Sequence, residues 1–156
     1  MPRNQIMDGR YARLEPLSVA HAADIYGQNE ASDAIWNYLP YGPFAQIDDY
    51  ADWVASNTHQ TDPFFYAIKD KSTNISSGIA SFLRISPEAG SIEVGHINFS
   101  PALQRTRAAS EAMFLMMGWA FDAGYRRYEW KCNAANMASR RAAQRLGLSF
   151  EGVFRQ

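Results

Sequence analysis

The residues best suited to chemistry lie at positions 100–111, between two predicted elements. A strand pattern ends at Ser100-Pro101, and small residues at 108–110 open a long helical pattern beside Arg105 and Arg107. A helix N-terminus presents unpaired N–H groups and the positive end of its dipole, so it binds phosphates well. Small side chains there let a pyrophosphate approach the backbone. The junction predicts a phosphate site; the alternative is an ordinary helix start with solvated arginines.

A second polar group follows at a spacing of three, in Asn133, Asn136 and Ser139. These residues come directly after one predicted strand and begin a predicted helix. Their amides and hydroxyl are placed to bond the amide groups of an extended ligand. The alternative is that they only cap the helix, a role for which Asn136 is well suited.

Both groups depend on the elements around them, and the sequence alternates strand and helix patterns along its length. Strands are predicted over 11–17, 64–69, 77–85, 91–99, 126–132 and from Phe150 onward, and helices over 18–29, 48–57, 104–121 and 136–147. Short turns between the three central strands predict an antiparallel meander, and a helix between two strands requires a parallel pair with a right-handed crossover. We expect one domain over residues 1–156, an α/β fold whose mixed, mostly antiparallel sheet has helices on both faces.

Composition excludes several classes of function. The single cysteine, Cys132, cannot form an internal disulfide, and the three histidines lack metal-type spacing, so we expect no metal and a reducing, cytoplasmic location. No apolar run approaches the roughly 20 residues that span a bilayer, and residues 1–5 lack the apolar segment of a signal peptide. The net charge of −1 argues against general nucleic-acid binding. We therefore expect neither a membrane nor a nucleic acid as partner.

The charge is divided unevenly along the chain. Residues 1–90 carry eleven acidic and six basic side chains, whereas residues 91–156 carry five acidic and nine basic ones. This division suits a protein whose C-terminal half binds an anion and whose N-terminal half meets a cation. A chance spread of solvated surface charge is the alternative.

The two polar segments together resemble the acetyl-CoA cradle of the GNAT acetyltransferases, in particular the RimJ/RimL-like N-acetyltransferases. That family has Gln/Arg-x-x-Gly-x-Gly/Ala before a helix and a later Asn-x-x-Ser…Leu-Gly-Phe segment. Here they read Gln104-Arg105-Thr106-Arg107-Ala108-Ala109 and Asn136-Met137-Ala138-Ser139…Leu146-Gly147-Leu148. The resemblance implies a GNAT fold with acetyl-CoA as co-substrate. It also implies that the following residues bind it: Ile97, Phe99, Gln104, Arg105, Thr106, Arg107, Ala108, Ala109, Asn133, Asn136 and Ser139.

Two departures from the family pattern lead to further expectations. Arg107 stands at the usual glycine position, so the loop is bulkier, and we expect the arginine to contact the phosphates. The family sheet normally ends with two paired C-terminal strands, and here only the first is predicted before Gln156. An incomplete strand pair leaves an open sheet edge, which natural proteins usually cover. We therefore expect a homodimer.

The resemblance also implies catalytic roles for direct acetyl transfer to an amine. Glu93 is placed as the base, directly or through water, with pairing to an arginine as the alternative and His96 as the rival base. Ser139 is expected to protonate or hydrogen-bond the departing thiolate, and a backbone N–H at 97–99 to polarise the carbonyl oxygen. Cys132 is expected to be a buried, inert strand thiol.

The acceptor should meet a loop at 36–44 that is rich in Pro, Gly and aromatic rings. Its four predicted substrate contacts are Trp36, Tyr38, Tyr41 and Phe44. The leading acceptor is the N-terminal amine of a protein, and the alternatives are a small amine or an aminoglycoside. From a different class, the chain is alternatively a non-catalytic acyl-CoA-binding or dimerising module.

Overall fold

A computed structural model describes residue 2, residues 5–29 and residues 32–155. Its strands are β1 (Met7–Asp8), β2 (Ala12–Pro16), β3 (Phe64–Asp70), β4 (Ile75–Ser86), β5 (Ser91–Phe99) and β6 (Arg127–Trp130). Its α-helices are α1 (Ala22–Asn29), α2 (Ile47–Asn57), α3 (Arg107–Asp122) and α4 (Met137–Arg145), with short 3-10 helices at Val19–His21 and Asp33–Trp36. Every predicted element between residues 11 and 147 is therefore present, with bounds shifted by a few residues.

The strands form one sheet in the order β1-β2-β3-β4-β5-β6. All neighbours are antiparallel except β5 and β6, which pair in parallel around the connecting helix α3. The predicted mixed, mostly antiparallel sheet is confirmed. The two-residue strand β1, paired to β2, was not predicted, because two residues give no readable alternation.

Helices cover both faces of the sheet because its central strands are apolar on both sides. Tyr66, Ile68 and Phe82 belong to a core cluster packed beneath α3. Phe65 and Ile79 point the opposite way, into a second cluster with residues of α1 and α2. Full burial of such side chains contributes about 1.5–3 kcal/mol each. Phe82, with no exposed surface, is a position where truncation to alanine costs about 3–5 kcal/mol.

Helix α3 begins three residues later than predicted. Residues 101–105 form turns, and Thr106 is the N-cap, its Oγ1 accepting from Ala109 N–H at 3.1 Å. Ala108 and Ala109 are 3% and 5% exposed and face the core. Their small size therefore lets the helix approach the sheet. The prediction that a pyrophosphate approaches the backbone at these residues stays a prediction.

Two bulges interrupt the pairing of β4 with β5. Ile79 pairs with Asn98 and Ser81 with Gly95, so β5 holds one extra residue, at the point where His96 has φ +49°. Between Leu83 and Ser86 the extra residue lies on β4, where Arg84 has φ +47°. Bulges bend a strand and re-aim its side chains. Both lie beside the candidate site described below.

The C-terminal segment is loosely held. Helix α4 begins after the N-cap Asn136, as predicted, but none of its residues is buried. The strand predicted from Phe150 is wrong for residues 150–155, which form no regular structure; Gln156 lies outside the described residues. Phe150 and Phe154 are exposed, and the segment contacts β6 through the side chains of Glu151 and Arg127 rather than through backbone pairing.

Within the described parts of the chain, no helix is both long and apolar enough to cross a membrane.

Candidate functional site

Strands β5 and β6 part at a defined point. Their parallel pairing runs from Ser91–Arg127 to Val94–Trp130; β6 then ends, while β5 continues to Phe99. Beyond Val94, the edge of β5 that faced β6 has no strand neighbour among the described residues. Backbone groups of the 95–99 stretch are therefore available on that side to an extended ligand. The bulge at His96 lies in this stretch.

A cleft of about 550 Å³ lies at the N-terminus of α3, the helix that follows β5. Residues of α3 and of the turn before it line the cleft together with Tyr11 and Leu146; they are Arg105, Thr106, Arg107, Ser110, Glu111 and Phe114. The Arg107 guanidinium lies 5.6 Å from the centre of the Tyr11 ring. Two cations beside the free N–H groups of a helix N-terminus give the cleft the charge that phosphates require.

Glu111 of α3 also lines the cleft and binds the turn between β1 and β2. Its carboxylate accepts from the backbone N–H groups of Arg10, Tyr11 and Ala12 at 2.9, 2.6 and 2.7 Å. Burial alone would raise the pKa of Glu111, but these hydrogen bonds hold the pKa below its usual range. A side chain on Gly9 would meet the Glu111 carboxyl carbon at 2.5 Å, so the β1–β2 turn closes tightly on this group.

The predicted ligands between β5 and α3 are also positioned by local contacts. Gln104 Nε2 donates to the Phe99 carbonyl at 2.9 Å, which links the end of β5 to the turn before α3. Ile97 and Phe99 are half-buried side chains packed against the first core cluster. Only their backbone groups are placed to meet a ligand.

The second polar group caps α4. Asn133 Oδ1 accepts from Ala135 N–H at 2.8 Å, and Asn136 Oδ1 accepts from Ser139 N–H at 3.1 Å. Among the described residues, no acceptor takes a hydrogen bond from either Nδ2 group, so both donors remain for a ligand. Ser139 Oγ accepts from the Trp130 indole N–H at 2.8 Å. The three residues lie together beside the end of β6.

Glu93 lies between two cations at the same opening. Its side chain is 4% exposed, with Arg84 Nη1 2.6 Å from one oxygen and Lys131 Nζ 2.6 Å from the other. Lys131 also bonds Glu129, which pairs with Arg127. Burial would lower the pKa of Lys131, but its bonds to Glu129 and Glu93 raise it. The pairing of Glu93 with an arginine, the alternative to its role as base, is present.

Asp62 holds the bulge that carries Arg84. Its two carboxylate oxygens accept from the N–H groups of Arg84 and Ile85 at 2.8 and 2.9 Å. The left-handed backbone of Arg84 is thereby stabilised and its guanidinium is directed at Glu93. Sequence reasoning did not single out Arg84 or Lys131. Arg84 lies within β4 and Lys131 directly follows β6, so a cation at each of these strand positions was the only signal in the sequence.

His96 lies against the aromatic loop. Its ring stacks on Tyr41, with centroids 5.7 Å apart, and packs on Phe65 at 5.2 Å. Burial and the nearby Arg84 cation hold the pKa of His96 below its usual value, against the opposing effect of Glu93. The imidazole is therefore neutral at pH 7 and able to accept a proton.

The four rings of the aromatic loop differ in burial. Trp36 is 8% exposed, and Tyr41 and Phe44 pack against it with ring centroids at 6.4 and 5.4 Å. Burial raises the pKa of the Tyr41 hydroxyl well above its ordinary value. Tyr38 is 55% exposed. Of the four predicted acceptor contacts, Tyr38 is the one at the surface, whereas Trp36 belongs to the second core cluster.

Cys132 is exposed and follows the end of β6, because the strand stops at Trp130. The expectation of a buried strand thiol is wrong. Among the residues described, no group of three or more His, Cys, Asp or Glu side chains is placed to hold a metal ion.

Comparison with known proteins agrees with this arrangement. The sequence profile of the Acetyltransferase (GNAT) domain matches residues 12–149. No curated protein matched the chain. Among solved structures, a GCN5-related N-acetyltransferase from Brucella melitensis superposes with a TM-score of 0.95 at 40% identity, covering 99% of this chain and 72% of that one. A GNAT-family protein from Chromobacterium violaceum ATCC 12472 gives 0.89 at 39% identity, covering 97% and 77%.

A more distant structural match carries a more specific title. The ribosomal L7/L12 alpha-N-protein acetyltransferase RimL has a TM-score of 0.78 at 20% identity, covering 97% of this chain and 87% of that one. At that identity the likeness shows the fold alone.

Proposed function

Because the chain belongs to the GNAT acetyltransferase family, we propose that it transfers the acetyl group of acetyl-CoA directly to an amine, with a protein N-terminal amine as the leading acceptor. Family membership carries the general reaction, acyl-CoA-dependent N-acetyl transfer. The observation that carries the assignment to this site is the parting of β5 and β6 beside the N-terminus of α3. An extended thioester and a phosphate-rich end fit these two features side by side.

Residues on both walls of the opening supply the binding groups. Arg105 and Arg107 flank the first turn of α3 and suit the pyrophosphate. The free edge of β5 at residues 97–99 offers backbone groups to the amides of the pantetheine arm. The Nδ2 groups of Asn133 and Asn136, beside the end of β6, can donate hydrogen bonds to the same pantetheine amides. The residues present therefore fit acetyl-CoA.

For proton transfer we assign the base to His96 and an electrostatic role to Glu93. Both carboxylate oxygens of Glu93 already accept hydrogen bonds from cations, one from Arg84 and one from Lys131, each at 2.6 Å. The neutral imidazole of His96 lies on the same face of the sheet, and a base that titrates near the working pH is the more effective one. Glu93 then fixes Arg84 and Lys131 at the edge of the site.

Ser139 is assigned to the leaving sulfur. It lies in the first turn of α4, where the positive end of the helix dipole favours a developing thiolate. Its hydroxyl is a hydrogen-bond donor at neutral pH. A backbone N–H in the bulged stretch 97–99 is the corresponding donor for the carbonyl oxygen.

The acceptor identity is tested by a panel. Purified protein is mixed with acetyl-CoA and, separately, with peptides that begin with Ser, Ala or Met, with spermidine, and with kanamycin, while thiol release is followed. We expect peptides to be preferred, because the exposed Tyr38 ring offers an apolar contact to a peptide side chain. The exposed acids Asp48, Asp49 and Asp52 near the aromatic loop attract any cationic amine and do not separate the candidates. Preference for spermidine or kanamycin would support the small-amine alternative. Coenzyme A binding without thiol release would support a non-catalytic module.

Self-association remains a proposal. The described part of the chain ends with Phe150, Val153 and Phe154 exposed, which is apolar surface that a homodimer would bury. Light scattering at micromolar concentration measures the mass directly. A mass of one chain at all concentrations would contradict the dimer.

A further inference from the structure

Trp130 lies where β5 and β6 separate. It is the last residue of β6 and pairs with Val94, the final pair before the strands separate. Its indole N–H reaches across to α4 and donates to Ser139 Oγ at 2.8 Å. The bond connects the sheet to the hydroxyl that the proposed reaction assigns to the leaving sulfur.

The chemistry of the two groups fixes the direction of the serine proton. An indole N–H can only donate, so Ser139 Oγ must be the acceptor in this bond. The serine's own proton then has to point elsewhere, and no described residue accepts it. A hydroxyl that accepts a hydrogen bond is also polarised into a stronger donor. The bond from Trp130 therefore restricts the direction of the Ser139 hydroxyl proton, and no described residue accepts that proton.

We propose that Trp130 is a positioning residue for acetyl transfer: its indole N–H orients and polarises the Ser139 hydroxyl toward the leaving sulfur. This inference rests on the proposed function. In the transfer, the acceptor nitrogen bonds to the acetyl carbon, and the carbon–sulfur bond breaks with its electron pair left on sulfur. The proton lost by nitrogen passes to the base and balances the thiolate. Ser139 donates a hydrogen bond to the sulfur, and Trp130 fixes the direction of that bond.

A purely mechanical role for the same bond has to be separated from this one. Because no residue of α4 is buried, the contact between Trp130 and Ser139 also holds the helix against the sheet. Loss of the indole N–H would reduce activity under either role. The two roles differ in their dependence on the leaving group. Help to the sulfur matters less when the thiolate is stable by itself, whereas a displaced helix affects every substrate alike.

The test is Trp130→Phe, which keeps an aromatic ring and removes the donor. With acetyl-CoA and the best acceptor of the panel, we expect kcat to fall roughly 5- to 10-fold, the size of one lost hydrogen bond, with KM for acetyl-CoA within about twofold. With S-phenyl thioacetate, whose aromatic thiolate leaves more readily, kcat/KM should stay within about twofold of the parent. Equal losses with both thioesters, or no loss with acetyl-CoA, would overturn the proposal.

The chain supplies a matched control in Trp119. Its indole N–H donates to Gln5 Oε1 at 3.0 Å, on α3 and away from the opening between β5 and β6. Trp119→Phe therefore removes one comparable hydrogen bond, and we expect kcat with acetyl-CoA to be unchanged. A loss in Trp119→Phe equal to that in Trp130→Phe would show a general effect of the substitution and overturn the assignment.

A readout without turnover completes the test. The four tryptophans give indole N–H signals in a proton–nitrogen correlation spectrum, and the signal absent from Trp130→Phe identifies Trp130. We expect that signal to move in Ser139→Ala and again when coenzyme A is added to the parent. If the Trp130 signal has the same chemical shift in Ser139→Ala as in the parent, the inference about Trp130 is overturned and the proposed function is unaffected. Failure of the parent to acetylate any amine of the panel overturns the proposed function, and the two failures are seen in separate experiments.

Discussion

Replacing Glu93 by glutamine tests how the centre of the site is built. The substitution keeps the shape of the side chain and removes its charge from between Arg84 and Lys131. Both cations lie 2.6 Å from the carboxylate, which is 4% exposed. Two neighbouring cations would then face a neutral amide.

The expected cost follows from the exposure of the three groups. Breaking a fully buried ion pair by removing one partner costs about 3–5 kcal/mol. Here the side chains of Arg84 and Lys131 are 63% and 35% exposed, so water can solvate them again. We therefore expect about 2 kcal/mol, or a Tm lower by about 4–8 °C for a domain of this size.

Thermal unfolding followed by circular dichroism measures this cost, and Glu129→Gln is the control. The Glu129 side chain is 22% exposed and also lies between two cations, Lys131 and Arg127. Because it is more accessible to water, we expect the control to lose less than about 1 kcal/mol. An unchanged Tm in Glu93→Gln would refute the argument that the buried carboxylate stabilises the fold.

Kinetics of the same variant decide which residue accepts the proton. At a temperature where the protein is folded, Glu93→Gln should retain kcat within about tenfold, whereas His96→Asn should lose about 10²-fold. Asparagine is chosen because it tolerates the left-handed backbone at this bulge, where φ is +49°. The reverse order of the two losses would make Glu93 the base and refute the assignment of His96.

The remaining predictions concern pH, the cleft and its walls. The pKa of His96 lies below its ordinary value, and a base must be deprotonated to act, so kcat/KM should fall as pH drops through that pKa, below 6.5; a parental acidic limb in His96→Asn would contradict this. Glu111 has a lowered pKa in the folded protein, so its stabilisation is present above about pH 4.5 and is lost as pH falls through the folded pKa. The unfolding free energies of the parent and Glu111→Gln should therefore differ by about 1–3 kcal/mol at pH 7. This difference should shrink toward pH 3 in denaturant titrations. Gly9→Ala places a carbon 2.5 Å from the Glu111 carboxyl and should cost about 1–3 kcal/mol; an unchanged midpoint in urea would show that the turn can yield. Arg107→Ala should weaken coenzyme A about tenfold in calorimetry and flatten the salt dependence of binding, and an unchanged affinity would remove Arg107 from the phosphate site.

Sequence periodicity was sufficient for the fold class and for the order of its elements between residues 11 and 147. The apolar alternation of β3, β4 and β5 and the long helical stripe before β6 determine which strands pair and where the parallel pair falls. The parallel pair in turn places α3 and α4 at the same opening. These features depend only on residue type and spacing, so they can be predicted from a single sequence.

The surroundings of single residues depend on tertiary packing, which periodicity does not determine. Ala108 and Ala109 have the small size that a phosphate loop requires, yet the same size suits a helix packed closely on a sheet, and the sheet is what they contact. Trp36 lies in a segment rich in Pro and Gly, which predicted a loop with four aromatic rings, and its ring belongs to the second core cluster. Type and spacing were equally compatible with both outcomes in each case.

The ion-pair chain and the bulges could not be predicted for a different reason. Arg84 and Lys131 are 47 residues apart in the sequence, and they meet at Glu93 only because β4, β5 and β6 are neighbours in one particular register. A one-residue change in either bulge would separate them. Such a contact is a property of the register, which periodicity alone does not determine.

The most direct test of the central claim is a single-turnover experiment with acetyl-CoA in the opening between β5 and β6. Enzyme in excess over acetyl-CoA is mixed with the preferred peptide, and acetylated peptide and free thiol are measured together by mass spectrometry and a thiol reagent. We predict that the two products form in equal amounts and at equal rates, and that Trp130→Phe slows both by the same factor. Thiol release without acetylated peptide, or no release above the rate without protein, would contradict direct acetyl transfer to an amine.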